Sequence, residues 1–185
     1  MPPKIKVTKD EIINAAVSII QNDGADAVNA RNIASFLNCS TQPVFSNFDS
    51  MEQLHFEVLK KADEICSEYI SKEISRGEYP IYKASGMAYI KFAIEQKALF
   101  KFLYMRSRSN KIDSKSLLDN MMENIVHSST GLSGDKAKLF HLEMWAYVHG
   151  IASMFATDYL NLDMELVSIM LSDAYLGMRK HYGLE

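Results

Sequence analysis

Residues that break helices are scarce here, with 8 Gly and 4 Pro among 185 residues. That scarcity excludes a collagen-like or low-complexity chain and favours long helices over short strands joined by tight turns. Cysteine is scarcer still: Cys39 and Cys66 form no C-x-x-C pair. Two such thiols fit a reducing compartment, each as a small buried hydrophobe. No run of 18 apolar residues occurs, and the opening MPPKIKVTKD is basic with no apolar stretch behind it. Neither a membrane span nor a signal peptide is expected, and the expected location is cytoplasmic. An excess of positive charge is missing too. The formal net charge of −3 excludes a surface that is basic all over, so any contact with nucleic acid must be local. H-E-x-x-H, a Gly-rich phosphate loop and an acid pair beside a base are all absent, and the five His are scattered. Neither an enzyme, nor a metal site, nor a cofactor is expected.

What is present is helical periodicity, and the predicted fold class is all-α with about nine helices. Thr8 with Glu11 forms a capping box, and Ile12, Ala16, Ile19 and Ile20 follow at helical spacing to a stop at Asp23-Gly24. Asn29 caps a short second helix that ends at Asn38, a residue able to take the left-handed conformation. Ser40 is the expected N-cap of a third helix, which puts Pro43 at its third position, where a missing N–H is harmless. Ser50 with Gln53 caps a long fourth helix to about Ser75, with Leu54, Val58, Lys61, Ile65 and Tyr69 along one face. Further helices are predicted over 81–96, 98–106, 114–128, 134–158 and 164–180. The expected division is 1–50 and 51–185.

The second and third helices, NARNIASFLNCSTQPVFSNF, have the arrangement of a helix-turn-helix, whose second helix enters the DNA major groove. With Val44 and Phe48 packed inward, Thr41, Gln42, Ser46 and Asn47 are left facing outward. Gln and Asn can bond adenine bidentately, and Ser or Thr can reach a base edge or a phosphate.

Residues from about Lys9 to Leu54 resemble the N-terminal domain of the TetR/AcrR family of transcriptional regulators. The likeness is carried by the Ala-Ala of the first helix, Gly24, Ile33-Ala34, the short third helix ending in an aromatic-x-x-Phe, and the Glu-x-Leu that opens the fourth. It implies DNA contacts from Lys4, Lys6, Asn29, Arg31, Ser40, Thr41, Gln42, Phe45, Ser46 and Asn47. Phe45 stands where the family commonly has Tyr, and Met51 where a Lys usually meets the backbone. The implied grip on phosphate is weaker by about one or two contacts in the salt slope, and an arm of Lys4, Lys6 and Lys9 offsets the loss.

EMWAYVHGIASMFA, residues 143 to 156, resembles the Trp-x-x-x-His-Gly helix of one subgroup of that family, in which the last two helices form a dimeric four-helix bundle. The implied protein is a homodimeric, ligand-responsive repressor of a palindromic double-stranded operator, with an apolar or aromatic small-molecule effector. The alternative is a helix-turn-helix interaction module that has lost specific DNA binding. Helix face and family position give Ile65, Tyr69, Phe92, Leu103, Met122, Trp145 and His149 as pocket residues, and Ile151, Met154, Phe155, Met170 and Tyr175 as dimer residues. His141 and His149 are eight residues apart, about 12 Å along a helix, too far to share one metal ion. For His149 the other reading is a hydrogen-bonded core histidine beside a glycine, Gly150, that lets a neighbouring helix approach.

Overall fold

The computed structural model describes residues 7–106 and 117–184. Lys4, Lys6 and the predicted helix start at 114 lie outside them. Among the described residues there are nine α-helices and no strand: α1 Lys9–Asp23, α2 Ala30–Phe36, α3 Gln42–Asn47, α4 Met51–Arg76, α5 Ile81–Glu95, α6 Lys97–Tyr104, α7 Leu117–Thr130, α8 Gly134–Ala156 and α9 Met164–His181, with a 3-10 turn at Ala25–Ala27. None of the described helices is long and apolar enough to cross a membrane. The chain forms two compact units, one drawn from 1–64 and 98–107 and the other from 65–97 and 108–185. The division falls within α4, past the expected boundary at residue 50.

In the first unit, α1 packs on α2 and α3. Its stripe of Ile12, Ala16, Ile19 and Ile20 is buried together with Ile33, Ala34, Val44 and Phe48. The local chemistry fixes the helix ends. The Thr8 hydroxyl accepts from the Glu11 N–H, and the Glu11 carboxylate accepts from the Thr8 N–H. The hydrogen bond from that N–H holds the Glu11 carboxyl below its ordinary pKa. Gly24 ends α1 at φ 87°, where any side chain is strained. Asn38 takes φ 51° in the α2–α3 turn, as its short amide allows.

Two details depart from the sequence reading. Thr41, not Ser40, occupies the N-cap of α3, which makes Pro43 the second helical residue. The buried stripe of α4 is Leu54, Val58, Ala62, Cys66 and Ile70. From residue 61 onward the inward face therefore lies one position later than expected, which leaves Lys61, Ile65 and Tyr69 half-buried on the flank. An unbroken four-residue spacing, carried by the small Ala62 and Cys66, is harder to read than the larger Ile65 and Tyr69.

In the second unit α5 packs against α7, α8 and α9. Nine of its residues are buried, among them Tyr82, Met87, Tyr89, Ile90 and Phe92. A helix buried on more than one face occupies the middle of its layer. Gly86 makes that possible: a Cβ there would lie 3.0 Å from Leu171 Cδ2 and 3.6 Å from Val148 Cγ2. Polar ties join α4 to α5. The buried Glu73 carboxylate accepts from Arg76 at 2.8 Å and faces Lys91 at 3.7 Å. The Tyr69 hydroxyl donates to Glu95 at 3.0 Å.

Candidate functional site

The expected DNA-facing residues divide by what their polar atoms already hold. The Oδ1 of Asn29 accepts from the N–H groups of Arg31 and Asn32, and its amide donates to the Ala27 carbonyl. It is therefore a helix cap, with at most one N–H to spare. Asn47, expected to face outward, is half-buried. Its Nδ2 donates to the Pro43 carbonyl at 2.8 Å and the Val7 carbonyl at 3.4 Å. Both amide hydrogens are thereby engaged, and bidentate bonding to adenine would require breaking these bonds. The Ser46 hydroxyl donates back to Pro43 O at 3.1 Å and keeps only acceptor capacity. Thr41 is half-buried. Gln42, Ser40 and Arg31 are exposed, and the Gln42 side chain makes no hydrogen bond among the described residues. Phe45 is 60% exposed.

Lys9, the described member of the basic arm, is occupied inside the first unit. Its ammonium lies 3.6 Å from the Glu57 carboxylate and 5.1 Å from the Phe48 ring centroid. Phe36, at 51% exposure on α2, is a surface residue that the sequence reading misses. Its offset from the buried Ile33-Ala34 pair is the available signal.

The seven expected pocket residues fall into different contact groups. Leu103, on α6, belongs to the first unit and the other six to the second. The Tyr69 ring meets Phe92 edge-on at 5.4 Å, and Phe92 is fully buried. Burial raises the Tyr69 pKa. Met122 sits in a cluster with Tyr82, Val126 and Phe140. The Trp145 ring stacks on His149 at 4.6 Å. His149 Nδ1 shares a hydrogen bond of 3.0 Å with the Tyr89 hydroxyl, while Ser153 lies 3.4 Å from its Nε2. Burial lowers the His149 pKa, so the neutral ring is favoured. Ile65 lies half-buried on the flank of α4.

A groove of about 430 Å³ lies instead on α8 and the start of α9. It is lined by Ala146, Tyr147, Gly150, Ile151, Met154, Leu160, Leu162 and Met170. None of the seven lines it, but three of the five expected dimer residues do. The other two turn inward. Phe155 is buried, and Tyr175 donates to the Ser129 carbonyl at 3.1 Å and packs beside Tyr82 and Phe140. Gly150 has nothing within 4 Å of where its Cβ would be, so it serves no close approach within this subunit. Elsewhere on α8 and α9, Leu139, Leu142, Leu166, Ile169 and Leu176 are exposed. A second apolar stripe opposite the buried Phe140, Met144, Val148 and Ile151 is the signal for them.

No protein-family model and no curated protein matches the sequence. Solved structures do. A protein of unknown function from Rhodococcus sp. RHA1 superposes with a TM-score of 0.76 at 18% identity, covering 96% of this chain and 98% of that one. A member of the TetR family from Streptomyces coelicolor A3 superposes with a TM-score of 0.66 at 13% identity, covering 90% of this chain and 96% of that one. The chain has a TetR-like fold. In this fold α2 and the short α3 stand as the helix-turn-helix pair expected from the sequence.

Proposed function

We propose that the protein is a DNA-binding transcriptional regulator, acting as a homodimeric, ligand-responsive repressor of a palindromic operator in the cytoplasm. The observation that carries this reading is α3, a short helix packed by Val44 and Phe48 whose outer edge presents the exposed Gln42, with Ser40 exposed just before it and Arg31 exposed on α2. Short amides and hydroxyls on such an edge suit base and phosphate contact. Two heads on one operator need a dimer, and the apolar outer faces of α8 and α9, with the groove at Gly150, are the surface we assign to it. The helix α4 is continuous across the division between the two compact units. It is the element through which an apolar or aromatic effector in the regulatory helices would alter head spacing, with a coupling of about 1–3 kcal/mol.

The test is fluorescence-anisotropy titration of the full chain against DNA from beside its own gene and against scrambled DNA, at two salt concentrations. Tight, sequence-dependent binding by two subunits per site is expected. A second reading, an interaction module that no longer reads DNA, is favoured by the internal engagement of Asn29, Asn47 and Lys9 and by the exposed Phe36 and Phe45. Equal, salt-labile binding to both DNAs would select it.

A further inference from the structure

We propose that Met154 and Met170 are a modification site at which hydroperoxides control subunit pairing, their oxidation to methionine sulfoxide keeping two copies of the chain apart. The proposal rests on the homodimer reading above and adds a chemical switch to it. The groove at Gly150 lies between α8 and the start of α9, and its lining carries one thioether from each helix, Met154 on α8 and Met170 on α9. Both residues are half-buried, so a small solute can reach them in a separated subunit. The other lining side chains are aliphatic apart from the Tyr147 ring. Met87, Met122 and Met144, by contrast, are buried in the core.

A thioether is apolar and adaptable, which suits a surface that has to fit a partner helix. Its sulfur is also the easiest atom in that lining to oxidise. A sulfur lone pair attacks the terminal oxygen of a hydroperoxide, and the S–O bond forms as the O–O bond breaks. Sulfur gives up two electrons to the peroxide, and the hydroxyl proton passes to the departing oxygen, which leaves as water or an alcohol. The product is a polar sulfoxide, which sulfoxide reductases return to the thioether. To enter an apolar contact the sulfoxide oxygen must lose its water, and the aliphatic lining offers it no hydrogen bond in return.

The test treats the full chain with hydrogen peroxide, maps sulfoxides by peptide mass spectrometry and follows self-association by sedimentation equilibrium. A twofold dimer carries each modified residue twice, so sulfoxide at either position is expected to raise the dissociation constant about a hundredfold, with helical circular dichroism unchanged. Methionine sulfoxide reductase should restore pairing. Leucine is close to methionine in volume, so the chain with Met154→Leu and Met170→Leu together should pair normally and resist peroxide. Pairing should also shield the groove. Oxidation of Met154 and Met170 should slow as protein concentration rises, while Met105, 47% exposed on α6, should react at one rate throughout. Peroxide that leaves Met154 and Met170 unmodified, or oxidises them without weakening pairing, overturns the proposal and leaves the homodimer reading in place. Dissociation that persists in the double variant, or that comes with loss of the helical signal, does the same. An untreated chain that stays monomeric at every concentration overturns both.

Discussion

The outer edge of α3 and the outer faces of α8 and α9 are both solvent-facing, yet they present opposite chemistry. The edge of α3 shows Gln42, Ser46 and one aromatic ring, whereas α8 and α9 expose Leu139, Leu142, Leu166, Ile169 and Leu176 and carry an apolar groove. Amphipathic packing built both elements, since each fills its inner face with Val, Phe, Met or Ile. The surplus on the outside is what differs. Exposed polar groups such as the Gln42 amide stay hydrated until another polar surface offers better geometry, while a broad apolar face stays costly in water until it is covered. Under the proposed function the two regions would meet different classes of partner, nucleic acid for one and a second copy of the chain for the other.

The largest expected effect comes from putting a charge on the apolar face. Ile169 is 53% exposed, so Ile169→Glu should leave the folded subunit within about 0.5 kcal/mol of its original stability. In a twofold dimer the change occurs twice and buries two unpaired carboxylates, at a cost of several kcal/mol each. If the proposed dimer forms, sedimentation equilibrium should show Ile169→Glu monomeric at concentrations where the unaltered chain self-associates. A persistent dimer would remove α9 from the assembly surface.

Next in size is the capping contrast between the same regions. Asn29 accepts two N–H groups at the start of α2, whereas Ser133 at the start of α8 makes no side-chain capping bond. Asn29→Ala should cost the head about 1 kcal/mol in urea unfolding, and Ser133→Ala close to nothing. Equal losses would mean that helix capping does not set the stability difference between the two starts.

A smaller effect separates two glycines. Gly150 and Gly177 both have nothing within 4 Å of the position a Cβ would take, so alanine at either should stabilise the subunit by roughly 1 kcal/mol through helix propensity. Only Gly150 lines the groove. Gly150→Ala should therefore also weaken dimerisation, measured by dilution, if the partner's helix fills that groove. A stabilised subunit with unchanged dimerisation would show that the groove lies outside the contact.

The all-α class, the caps at Thr8 and Asn29, the glycine stop at Gly24 and the left-handed Asn38 are legible in the sequence because each depends on residues a few positions apart. The α3 cap is misplaced by one residue because Ser40 and Thr41 are both good cap formers, and neither hydroxyl makes the bond that would distinguish them. Asn47 reads as outward because its helical position is, but its amide folds back onto the Pro43 carbonyl at 2.8 Å and also reaches Val7, 40 residues away, at 3.4 Å. The regulatory helices are hardest to read. Apolar residues cover two faces there, and periodicity alone does not say that Phe155 and Tyr175 turn inward while Leu142 and Leu176 turn outward. Such choices are made by packing between helices that are distant in sequence.

The smallest effect expected is a pH dependence carried by His149, and it contrasts a half-buried titratable group on α8 with the uncharged apolar outer face of α8 and α9. Around the ring lie the Tyr89 hydroxyl, the Ser153 hydroxyl and the stacked Trp145. Burial favours the neutral imidazole and lowers the folded-state pKa below the ordinary 6.5. Between the two values the unfolded chain binds more protons than the folded one, so stability rises with pH through that window. The contribution is complete above about 6.5 and is lost as the pH falls toward the folded-state value. Thermal unfolding followed across this window should show a declining midpoint on acidification, and His149→Gln should flatten the decline while Ile169→Glu, on the outer face, should not. A decline that survives in His149→Gln would assign the proton uptake to another group and leave His149 a purely structural partner of Tyr89.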